Sequence, residues 1–385
     1  MRFSAERVPS LDAFLNEVEA LGTSSALSPF QKATWLRAWY QQLAPAKAAE
    51  PVLIAIRDVS GPTAMLLPLV RRHDHGLTLI EAADLSVSDY CYPLLGPAAP
   101  ANRNEIEAAL AAAVPCLPHA DLLLLRNLPP ASGRRLNPLA MLDVVPSLTV
   151  QNVVDLPATW DEFINDRSRS FRKGHCRKKR AISSLGKFEV RFITEPAAAH
   201  RFLAMLDEFQ RVRMDGRGEP FVLDQPCYSN FYHAVIADGL ASGFAVLPVL
   251  TIDDRPIAGG FGMISGNTCT LVRLAHLEGA WDHYSPSIVL ACEMIRLLIE
   301  RGVKTFDFGK GYYSYKEQFG CEQIPLYRYQ RALSPKGRLA IAAMSARDAV
   351  RSSGLVHSLR SWREGSSHKK QAHAGDKTSD LGRPS

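Results

Sequence analysis

One order of elements occurs twice in this chain, and it leaves few folds open. Three strand-like runs joined by short turns are followed by a helix and then by a short apolar strand. In the first copy the runs are Val52–Arg57, Thr63–Arg72 and Leu77–Glu81, with turns at Asp58–Pro62 and His73–Gly76. An Ala-rich helix over Glu105–Val114 and a strand over Ala120–Arg126 complete it. In the second copy the runs are Phe244–Ile252, Pro256–Ser265 and Thr268–Leu277, followed by a helix from Pro286 and a strand over Val303–Phe308. Short turns join antiparallel neighbours, whereas a crossover helix returns the chain parallel. Each copy is therefore a mixed sheet with a helix on its face, and the repetition predicts an α+β chain of two related domains. We place them at residues 1–146 and 147–333. Residues 334–385 follow as a basic tail, helical over Gly337–Val350 and, from Gly365, too rich in Ser, Gly, Lys and His to pack.

Chemistry concentrates in Tyr284–Phe319, where loop, helix, strand and loop meet. Ser285 reads as a helix N-cap, with Pro286 at the first helical position, where its missing N–H costs nothing. Glu293, Arg296 and Glu300 are the only polar stripe on an otherwise apolar helix, so most of that helix is expected to be buried. Gly302 ends it. A helix start offers free N–H groups and the positive end of its dipole, which suits an anion. Ser285, Pro286, Ser287 and Ile288 are thus the candidate anion site. Asp307 at the following strand end and Lys316 on the next loop are placed to flank it.

Tyr-Ser-Pro before a long helix, then G-x-x-x-x-DF-x-x-G-x-x-x-YK, resembles the last third of the GNAT-type acyltransferase domain. The branch it is most similar to is the CelD-like one, associated with cellulose and exopolysaccharide biosynthesis and related in fold to the FemAB peptidyltransferases. The resemblance runs over roughly residues 28–330. It includes PFQ-x-x-x-WL-x-AW from Pro29, Ser88-Asp89-Tyr90 after the third strand, and basic residues at the end of the Ala198–Met214 helix. It implies two tandem GNAT-like domains, the first a degenerate copy that shapes the acceptor cleft. It also implies acyl-CoA, acetyl-CoA first, as co-substrate with no metal, its pyrophosphate lying at Ser285–Ile288. The family usually has Gly where Ser287 stands, and a side chain there limits close approach of the backbone to pyrophosphate. It often has acidic residues where this chain has Tyr312, Tyr313 and Ser314.

Direct attack of an amine on a thioester needs an uncharged amine, an oxyanion donor and a site for the anionic co-substrate, but no covalent nucleophile. The chain has no G-x-S-x-G elbow. Asp307 is the first candidate for binding or deprotonating the acceptor, with His276 and His283 behind it. Tyr315 and Lys316 match the family's YK and are candidates for neutralising phosphate or polarising the acyl oxygen. The substrate-binding candidates are Arg213, Arg273, Tyr284, Asp89 and Tyr90. Alternation puts Arg273 on the same face as Leu271 and Ala275, where burial would demand an anionic partner.

Charge narrows the partners. The chain carries +6, but residues 331–385 hold 11 Lys and Arg against 4 Asp and Glu, which leaves residues 1–330 at −1. A near-neutral body argues against general nucleic-acid binding. The exception is RSRSFRKGHCRKKR at 167–180, with eight Lys and Arg and no acid. If the helix around it is continuous, Arg167, His175 and Lys178 share a face with Trp160, Phe163, Ile164, Phe171, Ile182 and Leu185. An exposed basic face, a site for the phosphates of a nucleotide-containing ligand, an acidic glycan site and an RNA site all stay open. Seven scattered cysteines with no CxxC pair fit a reducing cytoplasm, and His73-Asp74-His75 reads as a polar hairpin turn. The expected function is acylation of an amine on a sugar, polysaccharide or envelope precursor. The alternatives are a FemAB-like transferase using aminoacyl-tRNA and a non-catalytic assembly subunit of a polysaccharide-synthesis system.

Overall fold

A computed structural model describes residues 2–22 and 25–352. It divides into two compact units, residues 1–330 and residues 331–385. The disorder expected from Gly365 lies outside the described residues.

The chain opens with β1 (Phe3–Arg7), α1 (Leu11–Ala20), α2 (Ala33–Ala38) and α3 (Ala44–Ala46). The first meander is β2 (Glu50–Asp58), β3 (Thr63–Asp74) and β4 (Leu77–Ala82), followed by the short β5 (Leu94–Leu95), α4 (Arg103–Ala113) and β6 (Leu122–Leu128). A small hairpin, β7 (Ala131–Ser132) and β8 (Arg135–Leu136), leads into β9 (Val144–Asp155). Then come α5 (Trp160–Asn165), α6 (Arg169–Ser183), β10 (Phe188–Phe192), α7 (Pro196–Asp215) and α8 (Pro226–Gly239). The second meander is β11 (Ala245–Val246), β12 (Pro248–Ile252), β13 (Arg255–Ser265) and β14 (Thr268–His276). It is followed by α9 (Pro286–Glu300), β15 (Thr305–Lys310), α10 (Ser314–Gln318) and β16 (Glu322–Ala332). The second unit contains α11 (Pro335–Ser352).

The repeat read from the sequence is present. β4 runs antiparallel to β3 and parallel to β6 through the α4 crossover. β14 runs antiparallel to β13 and parallel to β15 through α9. Both copies belong to one mixed sheet of order β1-β2-β3-β4-β6-β16-β9-β15-β14-β13-β12-β10. No helix among the described residues is long and apolar enough to cross a membrane.

Two sequence expectations need correction. The sequence reading divides the chain after residue 146, yet Val144–Asp155 is a twelve-residue strand deep in the sheet, paired with β15 and β16. Pro146, the residue that suggested a break, lies opposite Tyr327, beside a register shift in the β16 pairing, where a missing N–H is tolerated. The basic helix is not continuous from Trp160. Thr159 caps α5 in a reciprocal capping box with Glu162, and Ser168 starts α6 afresh by accepting from Phe171 N. His175 is buried as expected, whereas Leu185 is exposed.

The sheet of the second copy is covered on both faces. On one face α9 buries Ala291, Met294, Ile295 and Leu298 against Phe306 and Phe308 of β15. Glu293 is also buried there, held by Lys179 at 2.7 Å and Arg296 at 3.1 Å. On the other face lie α7 and α8. Gly259 lets Phe202 of α7 approach β13 closely, since a Cβ would meet the ring at 2.7 Å. Tyr232 of α8 packs edge-on to Phe261 at 5.4 Å. α8 also joins the copies, because its Phe231 packs on Trp35 of α2 at 4.7 Å.

Candidate active site

β14 and β15 are paired only over Thr268–Thr270 and Thr305–Asp307. At the last of these pairs, Phe306 and Phe308 point into the α9 core, so alternation sends Asp307 to the opposite face. There it meets a cavity of about 200 Å³ lined by Ser28, Tyr90, Gln151, Thr268 and Thr270. The carboxylate accepts hydrogen bonds from Tyr90 Oη at 2.8 Å, Gln151 Nε2 at 2.9 Å and Gly309 N at 2.8 Å. Burial pushes its pKa up to about 6, against the opposing pull of those three donors.

The first copy completes this site. Its Ser88-Asp89-Tyr90 segment reaches across to β15. Tyr90 binds Asp307, and Asp89 accepts from Lys310 N at 3.1 Å and lies 3.4 Å from Lys310 Nζ. Trp35 Nε1 anchors the segment through Ser88 Oγ at 3.0 Å. Gly309 is required where this segment crosses. Its φ is +75°, and a Cβ would sit 2.6 Å from Asp89 Oδ2.

Lys316 is fully buried in α10. Its Nζ donates to the carbonyls of Gly309 and Lys310 at 3.1 and 3.0 Å, so it fixes the chain leaving β15. Burial lowers its basicity, and the charges of Asp89 and Asp307 counter that. Burial pushes the half-buried Tyr315 hydroxyl up to about 12, which keeps it a donor at neutral pH. Arg213, near the end of α7, has a buried Nε with no partner.

Arg273 departs from the expected alternation. A bulge in β14 at Val272 puts Phe261 opposite Arg273 but Gly262 opposite Leu271. Leu271 therefore joins the α9 core, while Arg273 and Ala275 face α7 and α8. The anionic partner demanded by burial is Asp207 of α7, at 2.5 Å. Gln210 accepts from Arg273 Nε at 2.7 Å, and the guanidinium lies 4.9 Å over the Tyr232 ring.

The start of α9 also differs from expectation. Ser285 is left-handed, with φ +51° and ψ +59°, and its side chain makes no capping bond. Its N–H donates to Asp282 O, Ile288 N–H is turned back to Ser285 O at 3.0 Å, and Pro286 has no N–H. Of the four residues proposed to hold an anion, Ser287 alone keeps its amide out of the helix's own bonds. Its hydroxyl is bonded to His276 Nδ1 at 2.8 Å. Tyr284 stacks on His283, with ring centroids 3.7 Å apart. Neither His276 nor His283 lines the Asp307 cavity.

The basic helix α6 packs beside α9 and the Asp282–Tyr284 turn. Lys179 is spent on Glu293. Arg169, Lys173, Arg177 and Arg180 are exposed along one face at helical spacing.

The match with known domains falls on this part of the chain. Residues 169–317 match the acetyltransferase (GNAT) domain. The matched GNAT segment runs from the basic helix through the second meander, α9, Asp307 and Lys316. The mixed sheet with its flanking helices is GNAT-like. FemX is similar at 13% identity over 84% of this chain and 96% of its own, with a TM-score of 0.59. A conserved protein of unknown function from Bacteroides thetaiotaomicron is 11% identical over 87% and 100%, with a TM-score of 0.53. The C-terminal domain of a protein from Agrobacterium fabrum described as a lysylphosphatidylglycerol synthetase is 13% identical over 87% and 97%, with a TM-score of 0.50. At such identities these likenesses concern the fold. No curated protein matches the chain.

Gln151 and Asn152 are the site residues that the sequence reading missed. Asn152 Nδ2 donates to Gly309 O and Gly311 O at 2.9 and 2.8 Å, which shapes the turn after Asp307. The signal was an amide pair inside the apolar run TVQNVVD. It went unread because the run was not recognised as a central strand.

Proposed function

We propose that this chain is an acyl-CoA-dependent N-acyltransferase of the CelD-like branch. It would acylate, acetyl first, an amine on a sugar, polysaccharide or envelope precursor in the cytoplasm. The observation that carries this reading is Asp307, a buried carboxylate facing a cavity at the point where β14 and β15 part. A carboxylate raised to about 6 is still ionised at neutral pH and can accept the proton that the acceptor nitrogen sheds as it attacks. Gln151 adds to the fit. Its Nε2 must face Asp307, because its oxygen there would meet a carboxylate, so Oε1 is left without a partner. A second N–H of the acceptor would satisfy it. The neutral amine attacks the acyl carbonyl, its proton passes to Asp307, the amide bond forms as the C–S bond breaks, and the thiolate leaves taking up a proton.

The donor's phosphates would lie against α6 rather than in the α9 turn, which keeps one free amide. Calorimetric titration with acetyl-CoA tests this. We expect micromolar binding, weakened at least tenfold when Arg169, Lys173, Arg177 and Arg180 are all changed to Gln. Ser287→Gly lies in the α9 turn rather than on that face and is expected to leave binding unchanged. Absence of acetyl-CoA binding by both wild type and Ser287→Gly would sink the acyl-CoA reading.

One observation favours a second donor. Arg169 to Arg180 spans about 16 Å of helix, longer than a pyrophosphate needs and suited to a polynucleotide backbone. An aminoacyl-tRNA would bind with affinity falling steeply as salt rises, and acetyl-CoA would not compete.

A further inference from the structure

His276, Asp282 and Ser287 form a hydrogen-bonded relay that the proposed transfer does not use. Ser287 Oγ is 2.8 Å from His276 Nδ1, and His276 Nε2 is 3.2 Å from Asp282 Oδ1. The order fixes the proton. A carboxylate can only accept, so the imidazole carries its hydrogen on Nε2 and turns the Nδ1 lone pair to the serine hydroxyl. That is the protonation state a general base needs to activate a hydroxyl. Asp282 is itself held by Gly279 N at 3.3 Å.

The backbone is arranged around this contact. Ser285 holds a left-handed conformation unusual for a residue with a side chain. The turn it makes sets Pro286 and Ser287 against the end of β14. Ser287 keeps a free N–H at the positive end of a fifteen-residue helix. In chymotrypsin-type serine proteases the nucleophile's own amide forms part of the oxyanion hole. Trp281 and Tyr284, partly buried and 6.0 Å apart, provide an apolar flank for an acyl group. The site is separate from Asp307, because His276 lies six residues beyond Thr270 on β14, roughly 20 Å along the strand.

We propose that Ser287 is a nucleophile, activated by His276 and oriented by Asp282, that accepts an acyl group from an ester or thioester. The hydroxyl oxygen attacks the acyl carbon, and its proton passes to His276 Nδ1. The C–O or C–S bond breaks, and that proton leaves with the alcohol or thiol. Water attacks the resulting serine ester by the same route, releasing a carboxylic acid and restoring Ser287. No oxidant, metal or further reactant is needed.

The test treats the full chain with an alkyl fluorophosphonate and locates the adduct by intact-mass and peptide mass spectrometry. One adduct on Ser287 is expected, absent from Ser287→Ala. His276→Gln should slow labelling at least a hundredfold. Asp282→Asn, at an exposed position, should slow it about tenfold. With p-nitrophenyl acetate, wild type should release nitrophenol in a burst equal to the enzyme present, and Ser287→Ala should not. A wild type that keeps its cooperative thermal transition but gains no adduct on Ser287 would overturn the proposal. Labelling that Asp282→Asn leaves unchanged would overturn the relay. Because neither probe contains CoA or an amine, these outcomes are independent of the transfer at Asp307.

Discussion

Replacing Asp307 with asparagine is expected to abolish acyl transfer and to make the protein more stable at the same time. General-base catalysis contributes about 10²- to 10⁴-fold, so transfer should fall by that factor with little change in donor binding. The stability gain follows from proton linkage. The folded carboxyl titrates at about 6 against an ordinary 3.8, so keeping it charged opposes folding. The upper limit of that cost is about 3 kcal/mol at pH 8. It is absent below about pH 3, where folded and unfolded forms are both protonated. It grows as pH rises from about 3 to 6 and levels off above that. Urea unfolding of wild type and Asp307→Asn across this range should therefore converge in acid and separate above pH 6.

Asparagine fits the site because Gln151 can turn over. Tyr90 Oη and Gly309 N both donate to Oδ1, which asparagine keeps. The new Nδ2 would face Gln151, whose unpartnered Oε1 can swing round to accept from it. For wild type, transfer measured as kcat/KM should decline below about pH 6 as Asp307 takes up its proton. Full activity in Asp307→Asn would remove Asp307 from the chemistry. An unchanged stability difference from pH 4 to 8 would mean that its carboxyl is not raised.

Arg273→Met carries the second large effect, on stability. It strands Asp207 beneath α7 with no cation, and breaking a buried ion pair from one side costs about 3–5 kcal/mol. Gln210 loses its donor as well. Adding Asp207→Asn should recover most of the loss, because the uncompensated charge is the main penalty. Equal destabilisation in the single and double variants would show instead that packing over Tyr232 dominates.

Much of the architecture was legible in the residues. Two meanders with crossover helices gave the strand order within each copy, because short turns and long crossovers leave one direction each for the next strand. Asp307 was legible because it is an acid at the end of an apolar strand, followed at once by Gly309 and Gly311. The Ser88-Asp89-Tyr90 segment was legible only through resemblance. Nothing in its spacing says that it crosses to β15, 217 residues from Tyr90 to Asp307.

Other features turned on single residues that composition does not flag. The bulge at Val272 moved Arg273 to the α7 face, where a strict two-residue period had placed it with Leu271. Ser285 has the residue type of a good cap, but its backbone is left-handed and its hydroxyl caps nothing. His276 and Ser287 were both named as candidates, yet for different tasks, and their hydrogen bond was invisible until the end of β14 met the start of α9.

The sequence by itself determined the local elements, the repeated strand order and the placing of an acid at the mouth of the second meander. These follow from side-chain period, turn chemistry and caps, which act over a few residues. Tertiary structure decided what that acid is. Asp307 becomes a raised, cavity-facing carboxylate because the packing of the whole sheet desolvates it, while Tyr90 from the first copy and Gln151 from β9 donate to it and pull the other way. Desolvation depends on every chain segment that packs against a group, and those segments are set by the sheet as a whole.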